Sequence, residues 1–313
     1  MNLKRMLKKL LRTLVNYPPL PTSQPYNYAR LYYWRQTGKC LSYRHPKGWD
    51  QKLFWYNRYW QHPLIVKCAD KVAVRDYVKE CGFESILTKF YGVYDRAEDI
   101  DFDMLPDQFV LKTNHSGAGW FINICKDKSS FDCEAARDNV ARGIECVSGL
   151  EVADYQYQYI KPKIIAEEFI VPSTKEGQRL EIQFFFFNGE AKHILVRNDL
   201  GDAAENSFAI SYDMNWNRVH DRKIEDMSIN VDKPRRYDEM LSIAKKLAEP
   251  FPHVRVDLYY VDDRIIFGEL TFSTSGKILV NYPDETIQRW GDEWTLPEKL
   301  NMKWSDYYKS QVK

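Results

Sequence analysis

The chain has 313 residues with 45 basic and 44 acidic side chains, a net charge of +1, so it has ample material for a core but no charge excess with which to bind nucleic acid generally. No apolar run approaches the roughly 20 residues of a membrane span, which predicts a chain that is soluble or peripheral. The six cysteines (Cys40, Cys68, Cys81, Cys125, Cys133, Cys146) show no C-x-x-C and no metal-ligand spacing, and no secretory signal precedes them, so reduced thiols in a cytoplasm are the simplest account.

Residues 1–15 place Leu3, Met6, Leu7, Leu10, Leu11 and Leu14 on one helical face and Lys4, Arg5, Lys8, Lys9 and Arg12 on the other. Such a helix can lie peripherally on an anionic inner membrane face, or dock on the protein's own core; the pattern leaves both open. The proline-rich stretch 17–26 breaks any helix and makes 1–27 an appendage on a stiff linker. From 28 to 60 the pattern is helical and aromatic. Residues 70–82, DKVAVRDYVKECG, read as a helix with Asp70 at its N-cap, Lys71 and Arg75 on one face, and Gly82 ending it. A loop and a short strand occupy 83–94.

In 109–126, FVLKTNHSGAGWFINICK, two apolar strands flank a small, polar, glycine-containing loop. Backbone N–H groups in such a loop can cradle an anion, and Lys112 at the strand end can reach a phosphate, although an empty hairpin loop reads the same way. Residues 164–170, IIAEEFI, form a strand with paired acids, Glu167 and Glu168. A hairpin over 180–198 turns at Asn188-Gly189, the pair favoured by a type I′ turn. Residues 234–251 form an amphipathic helix with Met240, Leu241, Ile243, Ala244 and Leu247 inward.

The last hairpin, 253–273, carries acid where a core wants apolar side chains. Val254, Val256 and Leu258 alternate with Arg255, Asp257 and Tyr259, and Glu269 interrupts the return arm. A three-residue loop at 262–264 sets Asp257 opposite Glu269 on one face, whereas a two-residue turn sends them to opposite faces. Opposed carboxylates repel unless a cation lies between them, and such oxygen ligands suit Mg²⁺ held jointly with substrate phosphates. The alternative is a solvated face plus one edge acid. With strands in two regions and helices between, the chain reads as two α+β lobes facing a cleft.

The ordered phrases Asp70-Lys71…Arg75, Phe109-Val-Leu-Lys112 with its small-residue loop, Ile165-Ala-Glu-Glu168, Arg255-Val-Asp257 and Gly268-Glu269-Leu-Thr271 resemble an ATP-grasp enzyme. The similarity is to the TupA-like branch, linked to teichuronopeptide and other surface-polysaccharide biosynthesis, and it runs from about residue 32 to 272. It implies an α+β ATP-grasp fold, two lobes clamping ATP, with an N-terminal helical extension: 1–27 appendage, 28–108 helical substrate region, 109–313 the lobes.

The same resemblance implies ATP and Mg²⁺ as cofactors. Lys71 and Lys112 are the phosphate lysines, and the loop 114–119 (Asn114, Ser116, Gly117, Gly119) is the flap. Glu167, Glu168, Phe169 and Ile170 form the adenine hinge, with Glu168 at the ribose or adenine edge. Asp257, Glu269 and Thr271 are metal ligands, and Arg255, with Lys112, serves the transferred phosphoryl group. The implied reaction joins a sugar carboxylate or glycan acceptor to an amine or amino acid through an acyl phosphate.

Thr271 stands where the family carries Asn, and Gln183 where the branch often carries Lys; Trp120 and Phe121 crowd the flap. These departures keep a non-catalytic scaffold in play. Asp101-Phe102-Asp103 offers a glycosyltransferase alternative through a D-x-D pair. His115, inside the flap, is the one histidine worth testing, and Thr274-Ser275-Gly276-Lys277 hints at a phosphate loop but lacks its first glycine and its spacing.

Overall fold

The computed structural model describes residues 25–117, 119–146, 149–150, 152–172, 179–198, 208–223 and 229–307. The amphipathic stretch 1–15 and nearly all of the linker lie outside them. Two compact units divide between Leu41 and Ser42. In the first, helix α1 (Pro25–Thr37) stacks Tyr28 on Tyr32 and stops at Gly38, whose φ of +73° ends the helical path and whose N–H bonds the Trp34 carbonyl at 2.7 Å.

The second unit opens with helices α2 (Trp49–Tyr59), α3 (Pro63–Ala69) and α4 (Val74–Glu80). The helix expected over 70–82 thus begins later. Asp70 accepts from the Val72 N–H at 2.8 Å and caps a turn that presents Lys71 before α4 starts. Strands β1 (Phe90–Tyr94), β2 (Phe109–Thr113) and β3 (Ile122–Cys125) follow, with helix α5 (Cys133–Glu145) and strand β4 (Ile164–Glu167) completing a four-stranded antiparallel sheet of order β1-β4-β2-β3. β1 lies before residue 109, so this sheet draws a strand from the stretch assigned by sequence to the helical region.

Alternation makes the sheet two-faced. Phe109 and Leu111 are fully buried against Phe102, Leu105, Ala136 and Val140, each worth about 1.5–3 kcal/mol of burial. α5 closes that side, its N-cap Asp132 accepting from the Ala135 N–H at 2.9 Å. Val110, Lys112, Ile165 and Glu167, on the other face by pairing register, look away from this core.

The second sheet holds strands β5 (Leu180–Phe187), β6 (Glu190–Arg197), β7 (Ala209–Tyr212), β8 (Arg218–Val219), β9 (His253–Val261) and β10 (Arg264–Thr271), in the order β10-β9-β5-β6-β7-β8. The expected hairpin turn at Asn188-Gly189 is present, with φ of +50° and +82°. Helix α6 (Tyr237–Ala248) covers one face, setting Tyr237 against Phe184 and burying Met240, Ile243, Ala244 and Leu247; Leu241 is only half-buried. Val254, Val256, Leu258, Ile182, Phe184 and Phe186 supply the sheet's side of that core.

The opposite face changes character along its length. At one end Phe185, Phe187 and His253 meet Trp49 and Tyr56 of α2 and Trp290 of helix α7 (Asp284–Glu293). At the other end Tyr259, Val261 and Ile266 pack on Ile170. Between these apolar ends lies a polar band: Arg255, Asp257, Gln183, Glu269 and Thr271.

The β9–β10 turn corrects one expectation. Val261 pairs with Arg264, so the loop is the two residues Asp262 and Asp263, at φ of +48° and +61°. Alone, that turn would put Asp257 and Glu269 on opposite faces. A bulge at Gly268, between Phe267 and Glu269, inserts one residue and brings Glu269 directly opposite Asp257. A Cβ at position 268 would stand 2.9 Å from the Asp257 carbonyl oxygen, so glycine is what allows the strands to close there.

Candidate functional site

Arg255 organises the polar band. Its Nε donates to Asp257 Oδ1 at 2.7 Å, and its Nη2 donates to Asp257 Oδ2 at 2.5 Å, Glu269 Oε1 at 2.9 Å and Thr271 Oγ1 at 3.0 Å. The Thr271 hydroxyl also donates to Glu269 Oε1 at 2.5 Å. Asp257 is 1% exposed and forms the floor, whereas Glu269 is 44% exposed and forms the lip. Burial pushes the Asp257 carboxyl up, against the pull of Arg255. For Glu269, burial works upward too, but Arg255, Lys71, the Thr271 hydroxyl and Lys112 together hold it below its ordinary value.

The lysines come from the other sheet's side. Lys71, on the turn capped by Asp70, donates from Nζ to the Ser116 carbonyl at 2.7 Å, and its N–H bonds the Asn114 carbonyl at 3.1 Å. Burial lowers its pKa, while Glu269 raises it; Lys112 and Glu167 also act on it. One electrostatic field therefore includes Lys71, Lys112, Glu167 and Glu269, from both sheets. Lys112 is ion-paired with Glu167, whose other oxygen accepts from Thr88 Oγ1 at 3.4 Å. Arg75 continues the chain, donating to the Thr88 carbonyl at 2.6 Å and stacking over Phe90 at 3.8 Å.

The loop residues divide by role. Asn114 is fully buried: its amide donates to Asp70 at 2.8 Å and the Lys161 carbonyl at 3.0 Å, and its oxygen accepts from the Lys163 N–H at 2.8 Å. All its side-chain polar atoms are spent tying the flap loop to the fold, so the side chain anchors the loop. Ser116 bonds Thr113 and the Trp120 carbonyl. Gly117 and Gly119 are exposed, Gly119 at φ +76°, and Trp120 beside them is 53% exposed. His115 is buried with its Nε2 3.1 Å from the Cys146 carbonyl, and burial lowers its pKa, which marks a packed histidine.

At the hinge, strand alternation turns Glu167 toward Lys112 and Glu168 elsewhere. Glu168 accepts from Arg264 and from the Lys89 N–H, both at 3.2 Å, and so bridges the starts of β10 and β1 instead of facing the phosphate lysines. Phe169 is half-buried and lines a cavity with Tyr91, and Ile170 seals the apolar end of the second sheet.

Gln183 lies across from Asp257 and donates to it at 3.4 Å and to Glu181 at 2.7 Å. The departure from lysine therefore adds an amide beside a carboxylate already served by Arg255. Asp101-Phe102-Asp103 is a capped turn: Asp101 accepts from the Asp103 N–H at 3.0 Å, and Phe102 belongs to the first core. The stretch thus serves as a charged turn over the first core. Sequence reasoning passed over Asp154 and weighed Lys277 only as the end of a phosphate loop; the two form a buried ion pair next to the band, and a lysine in an otherwise apolar stretch, GKILV, was the available signal.

Among the described residues no group of three or more His, Cys, Asp or Glu side chains could hold a metal. The donor set is instead two carboxylates paired across neighbouring strands with a hydroxyl beside them. This set fits Mg²⁺, which takes one or two carboxylates and completes its shell with phosphates and water. No helix of the described residues is long and apolar enough to cross a membrane.

The family described as TupA-like ATPgrasp matches residues 51–295. Among solved structures, the chain is similar to a D-alanine-D-alanine ligase from Helicobacter pylori at 14% identity, covering 73% of this chain and 61% of that one with a TM-score of 0.41. A D-alanine-D-alanine ligase from Bacillus anthracis complexed with ATP matches at 15% identity, 85% and 68% coverage, TM-score 0.41. The biotin carboxylase domain of Hydrogenobacter thermophilus 2-oxoglutarate carboxylase, bound to MgADP, matches at 12% identity, 92% and 55% coverage, TM-score 0.41. The chain thus spans about three-fifths of the Helicobacter ligase's length. No curated protein matches. With the family match extending over residues 51–295 and both the lysine loop and the Arg255–Thr271 constellation inside it, the chain belongs to the TupA-like ATP-grasp family and has the ATP-grasp α+β fold.

Proposed function

We propose that the protein is an ATP-dependent carboxylate–amine ligase acting on a cell-surface polysaccharide or its sugar precursor, joining an amino acid or amine to a uronic-acid carboxylate. The observation that carries this reading is Arg255, Asp257, Glu269 and Thr271 gathered on two neighbouring strands, in one electrostatic field with Lys71 and Lys112. Phosphoryl transfer asks a protein mainly for charge neutralisation and positioning, and this constellation offers both. The choice of acceptor rests on the resemblance to the teichuronopeptide branch.

In this reading Lys71 and Lys112 hold phosphate oxygens, and the loop through Ser116, Gly117 and Gly119 closes over them. Glu167, Phe169 and Ile170 border the adenine, with Glu168 at its edge. Asp257, Glu269 and Thr271 would hold Mg²⁺, which when bound neutralises the β- and γ-phosphates and orients them. An acceptor carboxylate oxygen attacks the γ-phosphorus, the bond to the β-phosphate bridging oxygen breaks, and ADP departs, leaving an acyl phosphate. The amine nitrogen then attacks the acyl carbon, the C–O bond to phosphate breaks, and the nitrogen gives up a proton to the departing phosphate as the amide forms. Arg255 would steady the phosphoryl group through the first step.

The test is phosphate and ADP release from ATP with uronic-acid and amino-acid or amino-sugar pairs. Release is expected only with both partners present, and Asp257→Asn and Glu269→Gln should each abolish it. Sugar transfer from a UDP-sugar without ATP turnover would overturn the reading.

A further inference from the structure

The mechanism above leaves a buried charge pair unused. Lys277 is fully buried and ion-paired with Asp154; its Nζ also donates to the Val152 carbonyl at 3.2 Å and sits 5.1 Å from the centre of the Phe54 ring. A lone buried ammonium or carboxylate is strongly disfavoured, so each group requires the other. Lys277 ends the short 3-10 turn Thr274–Lys277, at a φ of +68°, which only a firmly held non-glycine residue adopts. The other end of that turn is Thr274, 4% exposed, whose Oγ1 accepts from Arg255 Nη1 at 3.4 Å.

The use made of the Arg255 guanidinium is uneven. Nη2 meets three acceptors with two hydrogens, and Nε meets one. Nη1 carries two hydrogens and has Thr274 as its protein acceptor among the described residues, at the longest distance of the set. Nη1 is therefore the edge with donor capacity left for an anion, and Thr274 is the contact that edge already makes.

We propose that Thr274 is a positioning residue for Arg255, aiming Nη1 at the terminal phosphoryl group, and that the buried Asp154–Lys277 pair holds the turn that places Thr274. This rests on the ligase reading given above. Ser273, 8% exposed and within 3.5 Å of Gln156 Nε2, immediately precedes the same turn. A purely structural turn would affect all nucleotides alike; a positioning one affects only those carrying the terminal phosphate.

The experiment is calorimetric titration of the full chain with Mg·ADP and Mg·AMP-PNP, for the wild type, Thr274→Val, Thr274→Ser and Lys277→Met. The wild type should prefer AMP-PNP. Thr274→Val should lose about fivefold of that preference, the net worth of one ordinary hydrogen bond, with ADP affinity within about twofold of wild type. Thr274→Ser should restore it. Lys277→Met should match Thr274→Val in preference wherever circular dichroism shows it folded; if it does not fold, the two Thr274 variants decide. A wild type binding neither nucleotide overturns the ligase reading itself. A wild type binding both without preference, a Thr274→Val variant with unchanged preference or equal loss of both nucleotides, or a serine variant that fails to restore it, overturns the positioning role while leaving that reading intact.

Discussion

Gly268→Ala tests the link between one backbone irregularity and the whole site. The added Cβ would stand 2.9 Å from the Asp257 carbonyl oxygen and 3.2 Å from Tyr259 Cε2, and the first of these is backbone that cannot rotate away. Relief requires β9 and β10 to part at the bulge. Overpacking of this kind costs about 1–3 kcal/mol. The displaced atoms belong to Asp257, and the bulge sets Glu269 opposite it, so the functional loss should exceed the loss of stability. Urea unfolding gives the first quantity, as a lowered midpoint at unchanged slope. Titration with Mn²⁺ in the presence of ADP gives the second, with an expected weakening of at least about tenfold, equivalent to 1.4 kcal/mol. A variant with wild-type midpoint and wild-type metal–nucleotide affinity would refute the claim that the bulge builds the site.

Arg255→Met leaves the buried Asp257 carboxyl without its partner and should cost about 3–5 kcal/mol in urea unfolding, part of it returned by a second change, Asp257→Leu; a single variant as stable as wild type would exclude this. His253 is buried against Phe187 and Trp294, bonded through Nδ1 to the Phe186 carbonyl at 2.9 Å, and burial pushes its pKa down to about 3. The unfolded chain then binds a proton near pH 6.5 that the native state refuses, so this group's stability contribution is full above that pH. It is lost as pH falls, by about 1.4 kcal/mol per unit and about 2 kcal/mol by pH 5. His253→Phe should remove that part of the acid limb in a comparison of unfolding at pH 7.5 and 5, and identical pH dependence in both proteins would contradict it. Asn114→Ala strips partners from Asp70 and two backbone groups and should destabilise by about 3 kcal/mol; a midpoint unchanged within error would mean that the amide ties nothing together.

Much of the architecture was legible from local chemistry. The strand alternation of 253–261, the Asn188-Gly189 turn and the apolar face of α6 are short-range properties, because side-chain period and turn preference depend on a few neighbouring residues. The acids of the last hairpin were visible as interruptions of an apolar pattern. Their mutual placement was not, because hairpin register accumulates over its length and a single bulge reverses it.

Tertiary structure alone decided which polar residues serve the site and which serve the fold. Asn114 sits in the loop read as the flap, yet its side-chain polar atoms meet Asp70, Lys161 and Lys163, while Glu168, read at the hinge, also ties Lys89 to Arg264. Asp154 and Lys277, separated by 123 positions, carry no local pattern that marks them as a pair. A sequence determines its chemistry and its local periods residue by residue; what a buried polar group is for depends on who neutralises it, and that partner is chosen by the packing of strands and turns far apart along the chain.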